Sequence, residues 1–339
     1  MKATLKLAND QKTPKYQLIV NSVLHAIMQG ELKKGDQLFS INEFSDEFFL
    51  SRDTVQKAYE VLRKKGIITS VRGKGYFIHK TDVSTSYSIL LLFNKISNYK
   101  KQVYNSFVEA LGENAVVDLK IYHFNAKIFE SLIANSLLDY DYFVIMPHFY
   151  ENTEIAEKAI KMIPTDQLVI LDKDISFIYS NYAAVYQDFR QDIFEALLTA
   201  IDPLKKYKKL FLVQPEITPY PPEITLGFRN FCLQENFDYA IIHEIEPKTI
   251  IKKGEAYIVI EETDLVNLIK NCKQNKFMVG KDVGIISCNE TPLKEILLDG
   301  ITVISTDHAK MGETAAKLIL ENKKEKIKNP FKLILRKSL

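Results

Sequence analysis

Residues 51–66 form the stretch that most constrains how this chain can fold. Ser51 is a good helix N-cap, because its hydroxyl can accept from the free amides of a first helical turn. Gly66 stands where a helix can end in the left-handed conformation. Apolar side chains recur between them at three- and four-residue spacing: Val55, Ala58, Tyr59 and Leu62. The pattern predicts a helix of about four turns with one buried face.

The opposite face of this helix is polar. Its side chains are Arg52, Asp53, Gln56 and Lys57. Arginine can form two parallel hydrogen bonds to guanine, and glutamine can do the same to adenine. These residue types near a helix N-terminus are therefore typical of a recognition helix in the DNA major groove. An ordinary amphipathic surface helix has the same pattern, and this segment alone does not separate the two interpretations.

Two further helices are predicted upstream. Residues 16–27 keep a helical period of apolar side chains, and Gly30 follows as a stop. Residues 40–43 have the spacing of a capping box, in which Ser40 bonds forward and Glu43 reaches back. A short second helix through residue 49 is expected, so helix, turn and helix follow one another closely.

A glycine-rich hairpin is predicted downstream. Two β-prone apolar runs, residues 67–71 and 76–78, flank the turn Arg-Gly-Lys-Gly at residues 72–75. Beside a recognition helix such a hairpin is a wing, whose glycines let the backbone approach a duplex while Arg72 and Lys74 meet phosphate or the minor groove. A nucleotide-binding loop is the alternative, but no helix N-terminus follows to receive a phosphate.

Residues 16–78 resemble the winged helix-turn-helix domain of GntR-type transcription regulators. The resemblance rests on GELKKGDQL at residues 30–38, SRDTV at 51–55 and GKGYF at 73–77. In that family a Pro-Ser-x-Arg pattern opens the second helix and its Arg contacts DNA, whereas Asn42 stands at that position here. Gln56 likewise stands where the family often has Arg, so the resemblance implies an operator that differs from the commonest consensus.

The DNA-binding residues predicted from these patterns and from the resemblance are Ser40, Asn42, Ser51, Arg52, Thr54, Gln56, Lys57, Arg72, Gly73 and Lys74. The charge distribution agrees with this prediction. Residues 1–80 hold 14 Lys and Arg against 8 Asp and Glu, while the rest of the chain holds 31 against 35. A basic module on a mildly acidic body suits attraction to phosphate, although solvated surface charge explains part of the excess.

Composition narrows the class of protein further. The chain has 339 residues, of which 46% are hydrophobic, and this is enough for two or three domains with substantial cores. No signal peptide and no apolar run of bilayer length is visible, so a cytoplasmic location without membrane contact is expected. Cys232, Cys272 and Cys288 are far apart, which predicts buried small residues rather than a metal site or a disulfide framework.

From residue 88 onward, short apolar runs alternate with helical periods. Strands are expected at residues 89–93, 116–124, 142–146, 168–171, 210–213, 257–260 and 283–286. Helices are expected at residues 104–111, 129–138, 155–163 and 189–201, with a helix end at 227–235. A first set of elements thus ends near residue 171, and a second set follows. The alternation predicts two α/β lobes on parallel sheets with right-handed crossovers.

Polar side chains follow many of these predicted strands. Ligands of parallel sheets bind beyond the carboxyl ends of strands, which for two facing lobes means the cleft between them. The candidates there are Asn94, Ser97, His148, Asp172, Gln187, Asp188, Glu261 and Asn289. Carboxylates and amides beside aromatic rings suit a polyhydroxylated ligand. Each candidate taken alone is more typical of a turn or a helix cap, since Asp and Asn serve strand-to-helix loops generally.

The body resembles the effector-binding domain of LacI-type repressors and periplasmic sugar-binding proteins. The resemblance begins at about residue 87 and is clearest at residues 280–293, 300–307, 311–316 and 333–338. In that family an Asp that grips sugar hydroxyls occupies the position of Asn289, and Asp172 matches another pocket carboxylate. A family Arg would fall at Ile224, so that contact is missing, and the neighbouring Glu223 is the candidate substitute.

A GntR-type domain on a LacI-type body is the architecture of the arabinose-repressor class. It implies an α+β winged helix-turn-helix domain at residues 1–80, a linker at 81–87 and an α/β periplasmic-binding-protein-like body at 88–339. It also implies a homodimeric repressor on an inverted-repeat operator, released by a sugar such as a pentose or 6-deoxyhexose, for example arabinose or fucose. No cofactor, metal or catalytic residue is expected.

Two other classes of body are alternatives to this interpretation. An enzyme of the pyridoxal-phosphate aminotransferase type is disfavoured, because the body is short and has neither a glycine-rich phosphate loop nor a nucleophile elbow. A ligand-free interaction domain would not need polar groups at so many strand ends. A bound small molecule would separate these possibilities.

Overall fold

The structure is a computed structural model that describes residues 14–81, 86–216 and 220–339. Positions 82–85 of the expected linker lie outside the described residues, as do residues 1–13 of the predicted N-terminal domain. The described chain forms an N-terminal domain followed by a body with two six-stranded sheets.

The N-terminal domain consists of three helices and a two-stranded hairpin. The helices are α1 (Lys15–Met28), α2 (Ile41–Glu47) and α3 (Arg52–Lys64). The antiparallel strands of the hairpin are β1 (Ile68–Val71) and β2 (Gly75–Ile78). This is the winged helix-turn-helix arrangement that the sequence predicts.

Local hydrogen bonds explain where α2 and α3 begin. Ser40 Oγ accepts from the Glu43 amide at 3.2 Å, and the Ser40 amide donates to the Glu43 carboxylate at 2.8 Å, which completes the predicted capping box. Ser51 Oγ accepts from the Thr54 amide at 3.3 Å and caps α3. The four residues of the predicted apolar stripe on α3 are each at most 1% exposed. The predicted buried face of α3 is therefore confirmed.

Lobe 1 is built on an all-parallel sheet in the order β13-β7-β6-β5-β3-β4. Its strands are β3 (Tyr87–Phe93), β4 (Ala115–Ile121), β5 (Tyr142–Ile145), β6 (Leu168–Asp172), β7 (Ala183–Tyr186) and β13 (Lys326–Lys328). Its helices are α4 (Asn98–Leu111), α5 (Ala126–Ala134), α6 (Thr153–Lys161) and α12 (His308–Leu320). Because the strand side chains alternate, Ile89 and Leu91 pack against α4 and α12, while Leu90 and Leu92 pack against α5 and α6.

Lobe 2 is built on a second sheet in the order β14-β12-β11-β10-β8-β9. Its strands are β8 (Lys209–Val213), β9 (Asp238–Ile242), β10 (Glu255–Val259), β11 (Val283–Cys288), β12 (Thr302–Thr306) and β14 (Phe331–Ile334). Its helices are α7 (Phe189–Thr199), α8 (Ile201–Leu204), α9 (Glu223–Gln234), α10 (Glu262–Gln274) and α11 (Pro292–Ile296). The edge strand β14 runs antiparallel to β12, so this sheet is mixed rather than wholly parallel.

The lobes are not consecutive along the chain, contrary to the expectation of one set of elements followed by another. The chain crosses from lobe 1 to lobe 2 after β7, returns after β12 to supply α12 and β13, and crosses again before β14. The alternation of strands and helices shows where the elements lie along the chain but not which sheet each strand joins. The sequence pattern therefore does not predict that α12 and β13 return to lobe 1.

Asn329 joins the three crossing segments. Its amide donates to the Tyr186 carbonyl at 2.7 Å, and its side-chain Nδ2 donates to Thr306 Oγ1 at 2.7 Å and to the Asp307 carbonyl at 2.9 Å. Asn329 is 1% exposed, so these bonds form away from solvent. The three crossings are thus tied to one another at the point where the lobes meet.

The N-terminal domain rests on lobe 1 through the end of α3. Lys65 Nζ lies 2.8 and 2.9 Å from the two carboxylate oxygens of Asp141, which also accepts from the Ser88 amide at 2.8 Å. A second ion pair joins Lys64 to Asp139 at 2.7 Å. Leu138 packs against the apolar core of the N-terminal domain. The recognition-helix candidate is therefore held at its C-terminal end by lobe 1.

Two of the three cysteines are buried in the cores of lobe 2, as expected, and Cys288 is half-buried at the end of β11. Across residues 14–81, 86–216 and 220–339, every helix is too short or too polar to cross a membrane.

Candidate functional site

The polar face of α3 is open to solvent. Arg52, Gln56 and Lys57 are exposed on it. Gln56 Nε2 donates to Glu60 Oε1 at 3.2 Å, and Lys57 Nζ lies 4.2 Å from the centre of the Tyr16 ring. These contacts are surface contacts that a nucleic acid can replace. The face is thus free for base and phosphate contacts while the opposite end of α3 touches lobe 1.

The hairpin presents its tip on the same domain. Arg72, Gly73 and Lys74 are exposed, and Gly73 has a φ of 74°, a conformation that favours glycine. Gln37 Nε2 donates to the Lys74 carbonyl at 2.8 Å and pins the tip to the segment before α2. Sequence reasoning did not single out Gln37, because it lies 37 residues from its partner.

The remaining predicted DNA-binding residues lie at the starts of α2 and α3. Asn42 is exposed in the first turn of α2. Ser40 and Ser51 use their hydroxyls as helix caps, and Thr54 Oγ1 lies 2.7 Å from Ser51 Oγ. Capping uses one lone pair of a hydroxyl oxygen, so Ser40 retains an acceptor, and the Ser51–Thr54 pair retains at least one whichever hydroxyl donates.

A cavity lies between the two lobes at the carboxyl ends of their strands. It encloses about 780 Å³, including the part open to solvent. Lobe 1 supplies a mainly hydrogen-bonding wall of Asn94, Lys95, Tyr99, Lys100, Phe124, His148, Asp172, Gln187 and His308. Lobe 2 supplies a mainly apolar wall of Phe189, Asp192, Ile193, Tyr220, Pro221, Ile224, Ile260, Cys288, Asn289, Ile304 and Phe331.

Asp172 is the carboxylate of the lobe 1 wall. Its Oδ2 lies 2.5 Å from His148 Nε2, and its Oδ1 accepts from Gln187 Nε2. Burial opposes ionisation of Asp172, but the contacts with His148, Lys100 and Gln187 outweigh burial and hold its pKa at about 2. Asp172 therefore remains a carboxylate at neutral pH. With its two oxygens already oriented, it can accept further hydrogen bonds from a ligand.

Lys100 supplies a buried ammonium group beside Asp172. Its Nζ donates to Asn94 Oδ1, and the residue is 3% exposed. Burial lowers the pKa of Lys100 to about 8, although the nearby Asp172 opposes this effect. The ammonium group remains charged at neutral pH and has three donor hydrogens. A ligand that accepts hydrogen bonds can therefore use this group.

His308 and Asn289 bridge the two lobes across the cavity. His308 begins α12 in lobe 1, and its Nε2 lies 3.2 Å from Asn289 Oδ1 at the end of β11 in lobe 2. The His308 ring stacks on Tyr99, with ring centres 4.9 Å apart. Burial lowers the pKa of His308 to about 4, so the ring is neutral at pH 7 and its N–H can donate to the amide oxygen.

The structure brings together five of the nine predicted ligand residues: Asn94, His148, Asp172, Gln187 and Asn289. The other four lie outside the lining. Ser97 caps α4 and Asp188 caps α7, while Glu223 begins α9. Glu261 contacts a lining residue instead, since its Oε1 accepts a hydrogen bond from the hydroxyl of Tyr220 at 2.6 Å.

Several lining residues were not predicted, namely Tyr99, Lys100, Asp192, Tyr220 and His308. All five lie in first helical turns or in the loop before a helix. A search confined to strand ends misses such residues. The first turn after each strand end is the local signal that points to them.

Two family descriptions match separate parts of the chain. Residues 15–78 match the bacterial regulatory proteins of the gntR family. Residues 207–339 match the periplasmic binding protein-like domain.

Two relatives of known name are similar to this chain. The HTH-type transcriptional repressor YtrA of Bacillus subtilis (strain 168) is 31% identical over 98 residues, which cover 29% of this chain and 72% of YtrA. The arabinose metabolism transcriptional repressor of Geobacillus stearothermophilus is 30% identical over 71 residues, which cover 21% of this chain and only 20% of that relative.

Solved structures resemble the body of the chain. The trehalose repressor from Escherichia coli has a TM-score of 0.61 at 15% identity and covers 74% of this chain and 100% of its own. A periplasmic binding protein/LacI transcriptional regulator from Alkaliphilus metalliredigens QYMF, complexed with D-xylulofuranose, has a TM-score of 0.57 at 15% identity. The match covers 75% of this chain and 99% of that regulator's chain. At this identity the likeness concerns the fold.

Proposed function

The chain belongs to the gntR family of bacterial regulatory proteins, and from this premise we propose that it is a homodimeric transcriptional repressor released from DNA by a small neutral sugar. The observation that carries the proposal is the pair of unlike walls that face each other across the cavity. A hydrogen-bonding wall and an apolar wall suit a ring with hydroxyls on its edge and an apolar face.

The charges of the cavity favour a neutral ligand. The charge of Asp172 is compensated by Lys100, His148 forms a hydrogen bond to it, and Lys95 Nζ lies 4.0 Å from Glu261 across the lobes. A pentose or 6-deoxyhexose such as arabinose or fucose satisfies these groups without adding charge. The apolar wall, which includes Ile224, suits the methyl group of a deoxy sugar. The names of the arabinose repressor and of the complex with D-xylulofuranose support this class of ligand.

The DNA contacts follow from the exposed face of α3. All five basic or amide side chains concerned are exposed, and we assign Arg52 and Gln56 to bases in the major groove and Lys57, Arg72 and Lys74 to phosphates. One such domain covers a half-site, so an inverted-repeat operator and a dimer are expected.

Sugar and DNA are coupled through the closure of the cleft. A sugar that touches Asp172 in lobe 1 and Asn289 in lobe 2 makes both contacts only when the lobes are close, so it favours the closed arrangement. If closure changes the spacing of the two DNA-binding domains in a dimer, operator affinity falls, and operator weakens sugar binding by the same factor. A coupling free energy of about 1–3 kcal/mol is the usual range.

The test is operator binding by fluorescence anisotropy, with and without L-arabinose or L-fucose. We expect Asp172→Asn and Asp172→Ala to lose the sugar response by at least about tenfold while operator affinity without sugar stays near that of the parent. Asp172 is remote from the polar face of α3, which is why DNA binding is spared.

Glu223→Gln is the matched control, because it changes a predicted ligand carboxylate that lies outside the lining. This variant should respond like the parent. An Asp172 variant that is still released at the parental sugar concentration would remove Asp172 from the binding site. A variant that cannot bind operator at all would mean that Asp172 supports the fold instead.

A further inference from the structure

Asp192 lines the cavity from the side of lobe 2. It lies in the first turn of α7 and is 2% exposed. Among the described residues of lobe 2 that line the cavity, Asp192 is the one with a charged side chain. The predicted charged substitute for the missing family Arg, Glu223, does not reach the cavity.

The two oxygens of Asp192 have different surroundings. Oδ1 lies 2.9 Å from Nζ of Lys328, which ends strand β13 of lobe 1. Oδ2 is buried and has no hydrogen-bond partner in residues 14–81, 86–216 and 220–339. A buried carboxylate oxygen without a donor is rare in folded proteins, because its lost hydration is not replaced. A ligand in the cavity that donates a hydrogen bond to Oδ2 would replace the lost hydration.

We propose that Asp192 Oδ2 accepts a hydrogen bond from a hydroxyl of the ligand, which makes Asp192 the residue of lobe 2 that selects a donor at this position. The inference rests on the proposed function, because it specifies the sugar side that faces α7. A phosphate or carboxylate group of the ligand is excluded beside Oδ2, since the carboxylate of Asp192 would repel either anion.

A hydroxyl fits better than an ammonium group. The charge of Asp192 is already compensated by Lys328 at 2.9 Å. The opposite wall carries Lys95 and Lys100, so a cationic ligand would meet two like charges. A hydroxyl donates to Oδ2 without adding charge. The ligand side facing α7 is therefore that of a neutral polyol.

The test combines two changes, one in the protein and one in the sugar. Binding of L-arabinose, L-fucose and their monodeoxyfluoro analogues to the full chain is measured by isothermal titration calorimetry. A fluorine atom replaces a hydroxyl without being able to donate. For the parent, one analogue should bind at least about tenfold more weakly than its sugar, because a hydrogen bond to a charged group is lost. In Asp192→Asn the same analogue should bind within about twofold of its sugar, because Lys328 holds the amide oxygen and the NH2 group that then stands at the position of Oδ2 cannot accept.

Two further variants keep the inference open to refutation. Asp192→Ser provides the same comparison if the Asn variant does not fold, as judged by circular dichroism. Lys328→Met removes the ion pair and keeps Oδ2, so it should retain the parental discrimination between sugar and analogue. Loss of that discrimination in Lys328→Met would mean that Asp192 acts only through its ion pair, and the inference would fall.

The remaining outcomes separate this inference from the function that it rests on. If the parent binds a sugar and the Asp192 variants keep the parental penalty for every analogue, Asp192 does not contact the ligand, while the proposed function stands. If neither sugar binds the parent, the proposed function fails and the inference fails with it.

Discussion

Lys100 shows at the scale of one residue how the cavity holds charge. The ammonium group is 3% exposed, and its pKa falls to about 8 because burial disfavours the charged form. A lowered lysine pKa means that the unfolded chain binds more protons than the folded chain between about pH 8 and the ordinary lysine value. Stability therefore rises as pH rises through that window, and at neutral pH the buried charge destabilises the fold.

We expect Lys100→Met to raise the free energy of unfolding by about 2 kcal/mol at pH 7, because the substitution removes the desolvated charge and keeps the length of the side chain. Urea unfolding of the full chain at pH 7, 8 and 9 measures the effect. The gain should shrink as pH rises.

Lys95→Met is the control, since Lys95 lines the same wall but is only half-buried. It should change stability by less than about 0.5 kcal/mol. A less stable Lys100 variant would show that the pairing of Lys100 with Asn94 and Asp172 outweighs the loss of hydration.

Some residues of the cavity can be predicted from the local sequence pattern, and others cannot. Asp172 and Asn289 follow apolar runs directly and have positive φ angles of 72° and 63°, as expected for polar residues that end a strand. Lys100 and His308 come from α4 and α12, whose mutual packing brings both to the cavity. That packing joins segments far apart in the sequence, so no local pattern predicts it.

At the scale of elements, α3 and the hairpin contribute in different ways to DNA binding. Arg52 at the N-terminus of α3 is suited to a base contact, whereas Lys74 at the hairpin tip is suited to a phosphate contact. The two contacts differ in what they do to specificity and to the dependence on salt.

Arg52→Ala should cost about 1–3 kcal/mol of operator affinity and relax specificity at one base position, because a directional contact to a base edge is lost. Lys74→Ala should weaken operator and scrambled duplex alike and reduce the slope of log affinity against log salt by about one. Binding curves at several salt concentrations measure both effects. Parental binding by both variants would refute the assigned roles.

The elements that the sequence predicts well carry strong local signals. The capping box at Ser40 and the cap at Ser51 mark helix starts within one residue. Strands β7, β9, β12, β13 and β14 were missed, because β7 contains alanines, β12 is rich in threonine and serine, and β9, β13 and β14 lie at the edges of their sheets. Such strands are stabilised by their neighbours rather than by their own side chains.

At the scale of the whole molecule, the N-terminal domain is not merely tethered to the body. The Lys65–Asp141 pair has side chains that are 26% and 18% exposed, and it carries two short contacts and a further backbone hydrogen bond. The Lys64–Asp139 pair is 50% and 42% exposed, and pairs of this kind contribute little. The first pair is therefore the contact through which lobe 1 can orient α3.

Lys65→Met should reduce the sugar-induced change in operator affinity by at least about threefold, because lobe 1 loses its hold on the end of α3. Lys64→Met removes an equal charge from the same helix end and should leave the response near that of the parent. Anisotropy titrations of operator with and without L-arabinose compare the two. Equal responses in both variants would show that the coupling takes another route.

The proposed dimer is tested at the same scale. Sedimentation velocity should give a dimer at micromolar concentration, and a duplex with an inverted repeat should bind one dimer rather than two independent chains. A half-site duplex should bind much more weakly, because only one of the two domains is then engaged. A monomer at high concentration and on operator would refute this arrangement.

The return of α12 and β13 to lobe 1 has a consequence for synthesis on the ribosome. The N-terminal domain is complete once β2 has emerged, whereas the sheet that begins with β3 receives its edge strand only at Lys326–Lys328. A nascent or truncated chain that lacks this strand therefore carries a finished DNA-binding domain and an unfinished sensor. Such a chain would contact operator through one half-site only and without answering to the ligand, so we expect it to be a weak competitor of complete repressors for as long as it escapes degradation.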